Sequence, residues 1–200
     1  MAKTYHHGDL KKAAIKRTVE IIQKKGEADF TLREVAQSLK VSHTAVYRHF
    51  ASKTDLLSHI AEEGFLAMNQ SFTEALSPLR SPRQRLKALG KAYIEFAEKN
   101  QGHYRCMFHQ ELRCSPDLRP ELEAAGAKAF ATLEETLKDG IKQSVFRKAD
   151  PTITARSVWS GIHGFATLLI DGQFQSLDST SAVNDAIDSH LSFLEQAVLK

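Results

Sequence analysis

Between positions 31 and 53 the chain gathers side chains that hydrogen bond well but make poor nucleophiles: Thr31, Arg33, Ser42, His43, Thr44, Tyr47, His49 and Lys53. Hydroxyls, imidazoles, a guanidinium and an ammonium suit phosphate oxygens and base edges, and Ala45 or a Thr methyl can meet a thymine methyl. The chemistry on offer is recognition of a polyanion. Bond-breaking machinery is not evident in the sequence, which has no Gly-rich phosphate loop, no His-Glu-x-x-His and no Gly-x-Ser-x-Gly elbow, so no catalytic residues are assigned. His103, Cys106, His109 and Cys114 form a loose group without a clear fourth ligand. No metal site is expected from it, and metal or redox sensing stays open as an alternative.

Two short helices must position the polar group. Thr31 is placed to cap the first, and Glu34 three residues on completes the Thr-x-x-Glu pattern of a capping box. Val35, Ala36 and Leu39 then recur on one face, with Ala36 small enough to let a second helix cross closely. Ser42 caps that second helix, and Val46 and Phe50 give it an apolar face four residues apart. His43, Thr44, Tyr47 and His49 are left to point outward, as in a helix-turn-helix whose second helix enters a major groove. An ordinary helical hairpin is the competing reading. Lys40 stands where such a turn most often has Gly, and a left-handed Lys costs about 1 kcal/mol.

The run Tyr47-Arg48-His49-Phe50-Ala51-Ser52-Lys53-Thr54-Asp55-Leu56-Leu57, with Thr31-Leu-Arg-Glu-Val-Ala before it, resembles the N-terminal domain of the tetracycline-repressor (TetR) family. The opening Tyr5-His-His-Gly-Asp-Leu10 and the later Trp159-Ser-Gly-Ile-His163-Gly164 are similar to a subgroup with a C-terminal Trp/His/Gly signature. The resemblance implies that Lys53, after the capping Ser52, binds phosphate at the start of the fourth helix, with Tyr47 and His49 as further backbone anchors. It also implies that the last two helices pair with their copy in a second subunit.

Residues 1 to 60 hold eleven Lys/Arg and six Asp/Glu, a net of +5, so with +3 overall the other 140 residues carry −2. The surplus lies with the motif, and Lys11, Lys12, Lys16, Arg17, Arg33, Arg48 and Lys53 can meet phosphates. The arm of Lys3, Tyr5, His6 and His7 is a further candidate for a neighbouring groove. No apolar run is long enough for a membrane span, and the polar, basic start is not a secretory signal. Two cysteines, Cys106 and Cys114, fit a reducing compartment. A cytoplasmic, nucleoid-associated protein is expected, with no membrane partner.

Punctuation along the chain is that of helices. Asp9 caps a first helix running to Gly26, Ser52 with Asp55 opens the fourth, and Ser81-Pro82 begins the next, which Asn100 and Gly102 end. A short segment over 104–112 follows, then a long helix to about Gln143, one from Asp150-Pro151 to Gly172, and a last from about Ser181 to Leu199. Without sustained period-two alternation, the fold is all-α with about nine helices. Its expected domains are a three-helix DNA-binding domain over residues 1–54 and a helical effector-binding and dimerisation domain over 55–200.

Phe65, Met68, Phe72, Tyr93, Phe96, Tyr104, Phe108, His109, Phe130, Trp159 and His163 are the candidate lining of a largely apolar effector pocket. Val158, Ile162, Phe165, Ala166 and Leu169, with Val183, Ile187, Leu191, Leu194 and Val198, are candidate homodimer stripes, the competing reading being internal core. The expected function is a homodimeric transcriptional regulator, a repressor released from a palindromic DNA operator by a small-molecule effector. The alternative is an all-α carrier or enzyme that keeps the helix-turn-helix as scaffold.

Overall fold

Ten helical segments organise the chain in a computed structural model that describes residues 7–26, 29–113, 115 and 118–200. They are α1 (His7–Lys25), α2 (Leu32–Ser38), α3 (His43–Tyr47), α4 (Lys53–Leu76), α5 (Pro82–Lys99), α6 (Gln101–Met107), α7 (Gln110–Arg113), α8 (Pro120–Lys142), α9 (Pro151–Ile170) and α10 (Thr180–Val198). Extended pairing among the described residues is limited to one isolated antiparallel bridge, Phe146 with Leu199. The fold is all-α, as the periodicity requires.

Most helix ends follow from local hydrogen bonding. The Thr31, Ser42, Ser52, Asp150 and Ser179 side chains each accept the amide of the residue three positions on. Gly172, at φ 67, closes α9 in the left-handed region that glycine enters without steric cost. Two expectations need correction. Asp9 lies inside α1, which already begins at His7, so it is not the cap of that helix. Gly102 lies inside α6 and does not end α5; a Cβ there would stand 2.7 Å from the Val19 carbonyl oxygen, so glycine lets α6 press against α1.

The chain divides into two compact units, Met1–Phe65 with Asn100–Ala124, and Leu66–Lys99 with Ala125–Lys200. This contact-based division is a different cut from one at residue 54, because it assigns the start of α4, all of α6 and α7, and the start of α8 to the N-terminal unit. In that unit the core is built from Leu10, Ala14, Ile15 and Ile22 of α1, Leu32, Val35 and Ala36 of α2, Val46, Phe50, and Leu56, Leu57 and Ile60 of α4.

In the second unit, α5 packs against both α9 and α10. Leu86, Leu89, Tyr93, Ile94 and Phe96 supply its buried face, and Gly90 leaves the space that Leu191 and Ile162 fill. Val158, Ile162, Ala166, Ile187, Leu191 and Val198 are buried here, so much of both expected dimer stripes is internal core. The large apolar side chains that stay exposed on these two helices are Ile153, Leu168 and Phe193. Gly161 rather than Gly164 makes the close helix approach, because a Cβ at Gly161 would lie 2.9 Å from Leu194 whereas Gly164 has nothing within 4 Å.

Glu195 of α10 is buried, and its carboxylate accepts from Arg83 Nε at 2.8 Å and pairs with Lys87 Nζ at 3.3 Å. The Arg83 hydrogen bond holds this carboxyl below the ordinary carboxylate range, with Lys87 adding to it against the opposing effect of burial. A depressed folded value stabilises above the unfolded value, and that contribution disappears as pH falls through the folded one. The urea midpoint of the wild type should therefore drop more steeply than that of Glu195→Gln from about pH 5 to about pH 3. Parallel curves for the two proteins would show that the ion pair contributes nothing.

Candidate functional site

The first candidate surface is the outer side of α2 and α3. Thr31 Oγ1 accepts from Glu34 N at 3.1 Å, and Ser42 Oγ accepts from Ala45 N at 3.3 Å. Each hydroxyl hydrogen is left available as a donor. Glu34 does not complete the box, since its carboxylate takes the Lys25 ammonium instead at 3.1 Å. Lys40 is left-handed at φ 57, and Val41 N donates back to Ala36 O across the turn at 3.1 Å. That hydrogen bond closes the end of α2 and sets the angle at which α3 departs.

Val46 and Phe50 are fully buried, while Arg33, Ser42, His43, Thr44 and Tyr47 are exposed and Ala45 and His49 are half-buried. Tyr47 keeps 51% of its surface in solvent although it is aromatic. Its ring meets His43 edge-on at 6.4 Å. α3 is only five residues long, shorter than the segment to Phe50 that the sequence suggests, and His49 follows its end. The expected arm residues Lys3, Tyr5 and His6, and the side chain of His7, lie outside the described residues.

Lys53 opens α4, where Ser52 Oγ accepts from Asp55 N and Asp55 Oδ2 accepts from Ala51 N at 2.9 Å, a reciprocal cap. Its ammonium donates to Glu111 Oε1 at 2.8 Å and stands 5.5 Å over the Phe30 ring. Glu111 has no counterpart in the sequence reading, because the pair joins residues 58 positions apart. Farther along α4, Arg119 pairs with Glu62 at 3.0 Å and meets His59 Nε2 at 3.2 Å. Burial, then the charges of Lys11 and Arg119, push the His59 imidazole below its ordinary value.

The residues expected to line an effector pocket fall into two groups. In the N-terminal unit, Phe108 meets Phe65 at 5.7 Å and Tyr104 at 5.2 Å, both edge-on. His109 Nδ1 accepts from the Glu111 amide at 3.3 Å, which gives this imidazole a role at the start of α7. In the second unit, Tyr93 Oη and His163 Nδ1 share a hydrogen bond of 2.8 Å, Trp159 lies 5.6 Å from His163, and Phe130 meets Trp159 at 6.2 Å. Met68, Phe72 and Phe96 are buried in that unit.

A polar residue of the second unit escapes sequence reasoning. Asn69 is buried, its Nδ2 donates to Ala125 O at 2.9 Å, and its Oδ1 accepts from no group. Leaving a buried acceptor unmet costs about 1 to 3 kcal/mol. Its place among the apolar residues of α4 could have marked it. Among the described residues no group of three or more His, Cys, Asp or Glu is arranged to hold a metal, and Cys114 lies outside them. Burial pushes the Cys106 thiol up to about 12, so little reactive thiolate forms there.

A capped helix-turn-helix with an outward polar face, on an all-α scaffold, defines a DNA-binding transcriptional regulator. Comparison with known proteins gives the family. Residues 86–193, more than half of the chain, match the "Tetracyclin repressor-like, C-terminal domain", and residues 14–60 match "Bacterial regulatory proteins, tetR family". The chain belongs to the TetR family.

Two relatives and one solved structure illustrate the range. The "HTH-type transcriptional activator FasR" of Mycolicibacterium smegmatis is 26% identical over 106 residues, 53% of this chain and 48% of that protein. This chain therefore spans about half the length of FasR. The "Nucleoid occlusion factor SlmA" of Marinobacter nauticus is 23% identical over 165 residues, 82% of each protein. The structure of AibR in complex with isovaleryl coenzyme A and operator DNA superposes with a TM-score of 0.74 at 18% identity, covering 92% of this chain and 97% of that one. That last likeness is one of fold.

The two aromatic residues of the reader should separate in a denaturation experiment. Phe50→Ala is expected to lose about 3 to 5 kcal/mol of stability, as a fully buried ring does. Tyr47→Ala, at an exposed position, should stay within about 0.5 kcal/mol of the wild type. Equal losses at the two positions would contradict the division into core and surface.

Proposed function

We propose that this chain acts as a homodimeric repressor, released from a palindromic operator by a small, largely apolar effector. The observation that carries the reading is the outward set of His43, Thr44 and Tyr47 on α3, with Val46 of that helix and Phe50 just beyond it fully buried. His43, Thr44 and Ala45 are at the start of α3, where side chains reach base edges in a major groove. Thr31, Ser42, Tyr47, His49 and Lys53 take phosphate oxygens, and Arg33 takes a phosphate or a guanine.

The dimer reading is supported by the outer side of α9. Ile153, Ser157, Ser160, Gly164 and Leu168 follow at three- and four-residue intervals and so share a face. Ile153 is 64% exposed and Gly164 has open space around it, while Phe193 of α10 is 70% exposed. A second copy laid on this face would cover apolar surface that water now meets, and would set two readers on half-sites about 34 to 36 Å apart or a multiple of that.

The effector reading rests on the aromatic group of the second unit, with the Tyr93–His163 pair as the polar point that would orient a ligand. AibR, with its isovaleryl coenzyme A and operator DNA, shows that this fold accommodates both kinds of partner. α4 is the proposed lever, since its residues belong to one unit as far as Phe65 and to the other from Leu66. Each tenfold loss of operator affinity then requires about 1.4 kcal/mol of differential effector binding.

No described helix is long and apolar enough to cross a membrane, and we place the protein with the DNA in the cytoplasm, acting without catalysis. FasR is named an activator, which makes activation the alternative sign of regulation for this chain. A second reading is a DNA-organising protein without a ligand, and the likeness to a protein named a nucleoid occlusion factor is what favours it.

Selection of random duplexes by the purified protein, followed by sequencing, should enrich a palindrome, and Tyr47→Ala should weaken binding to it. Enrichment without a palindrome would argue against the dimeric reader, and no enrichment would favour a carrier or enzyme. Light scattering should give twice the chain mass for the wild type and the single mass for Gly164→Glu. A monomeric wild type at micromolar concentration would overturn the dimer.

A further inference from the structure

The ammonium of Lys53, the expected phosphate contact at the start of α4, is already engaged from within its own compact unit. It donates to Glu111 Oε1 at 2.8 Å, and the two side chains are 27% and 42% exposed. A carboxylate presents an ammonium with the same acceptor chemistry as a phosphate oxygen. The two acceptors cannot both crowd one ammonium cheaply, because their negative charges repel. We infer that Glu111 is an internal phosphate mimic, a positioning residue that holds Lys53 back from the DNA backbone and so limits the affinity of the reader.

The placement of Glu111 is set by more than a surface rotamer. On one side of it in sequence, Met107 and His103 lie against Gly64 of α4, where an added Cβ would stand 2.7 Å from the Met107 sulfur. On the other side, Arg119 is fastened to Glu62 and His59 of the same helix. The chain that carries Glu111 is thus held to α4 both before and after it. His59 in turn meets the Phe50 ring at 5.6 Å, which ties that attachment to the core of the DNA reader. Any change that lifts α7 from α4 releases Lys53 for phosphate, and any change that seats it there withdraws the lysine.

Partial exposure makes the pair weak and sensitive to salt, so it tunes DNA binding and does not block it. The effect should be about two- to fivefold, the range of exposed ion pairs. The inference rests on the reading of Lys53 as a phosphate contact, and the test separates the two. Because phosphate contacts are independent of sequence, a short random-sequence duplex serves as probe, with anisotropy measured at about 50 mM and about 200 mM salt.

Glu111→Gln should bind about two- to fivefold more tightly than the wild type at the lower salt, with a smaller gain at the higher. In a Lys53→Ala background the same substitution should change nothing. Unchanged affinity of Glu111→Gln, while Lys53→Ala alone weakens binding, overturns the inference and leaves the phosphate contact standing. An equal gain with and without Lys53 also overturns it, since it would reflect only the removal of a negative charge near DNA. If Lys53→Ala leaves the affinity of both the wild type and Glu111→Gln unchanged, the phosphate reading of Lys53 fails and the inference falls with it.

Discussion

Burial of the Phe50 ring is the constraint on which the proposed DNA-reading surface depends. The ring has no exposed surface, with the Lys11 ammonium 5.9 Å over it and the His59 ring edge-on at 5.6 Å. Phe50 therefore joins α1, the end of the reader and α4 at one point. Val46, four residues earlier, is buried as well, and together the two fix the roll of α3 about its axis. A helix of five residues has no stability of its own in water. It persists because its apolar side is held and its first turn is capped by Ser42, and its remaining side chains face outward as a consequence.

The same economy governs α4. Its first turn is capped reciprocally by Ser52 and Asp55, which fixes the start of the helix and hence the origin of the Lys53 side chain. Side chains of this helix then find partners along it: Lys53 with Glu111, Glu62 with Arg119, and Glu63 beside His103 at 3.9 Å, an imidazole that burial holds below its ordinary value. These pairs are exposed to differing degrees, so each contributes little alone. Their shared partner is the stretch from α6 to Arg119, which makes that stretch part of the reader's own unit.

In the second unit the governing element is α5, which contacts both α9 and α10. Gly90 and Gly161 remove the side chains that would keep these helices apart, and Arg83 and Lys87 neutralise the buried Glu195. The packed side of α9 is thereby settled, and the Tyr93–His163 hydrogen bond ties the middle of that helix to α5. Gly164 lies off that packed side, where an added Cβ would meet nothing within 4 Å.

Local features were legible in the amino-acid sequence because they are decided within four residues. The caps at Thr31, Ser42, Ser52 and Asp150, the left-handed Lys40, the proline start of α5 and the glycine after α9 all follow from short-range backbone geometry. So did the outward set of the reader, because burying Val46 and Phe50 on one side of a helix leaves no other place for His43, Thr44 and Tyr47.

Only the tertiary structure decided which distant surfaces meet. An apolar stripe shows that a face must be covered and not what covers it, so Ile162 and Leu191, read from sequence as interface with core as the competitor, lie instead against α5. Gly102, Gly161 and Gly164 are alike in sequence, yet Val19, Leu194 and open space lie opposite them. Lys53 and Glu111 meet because α7 is laid back on α4, a contact across 58 positions that no local pattern encodes. Capping and turn geometry are properties of a short peptide, whereas the partner of a helix face is set by how the whole chain closes on its core.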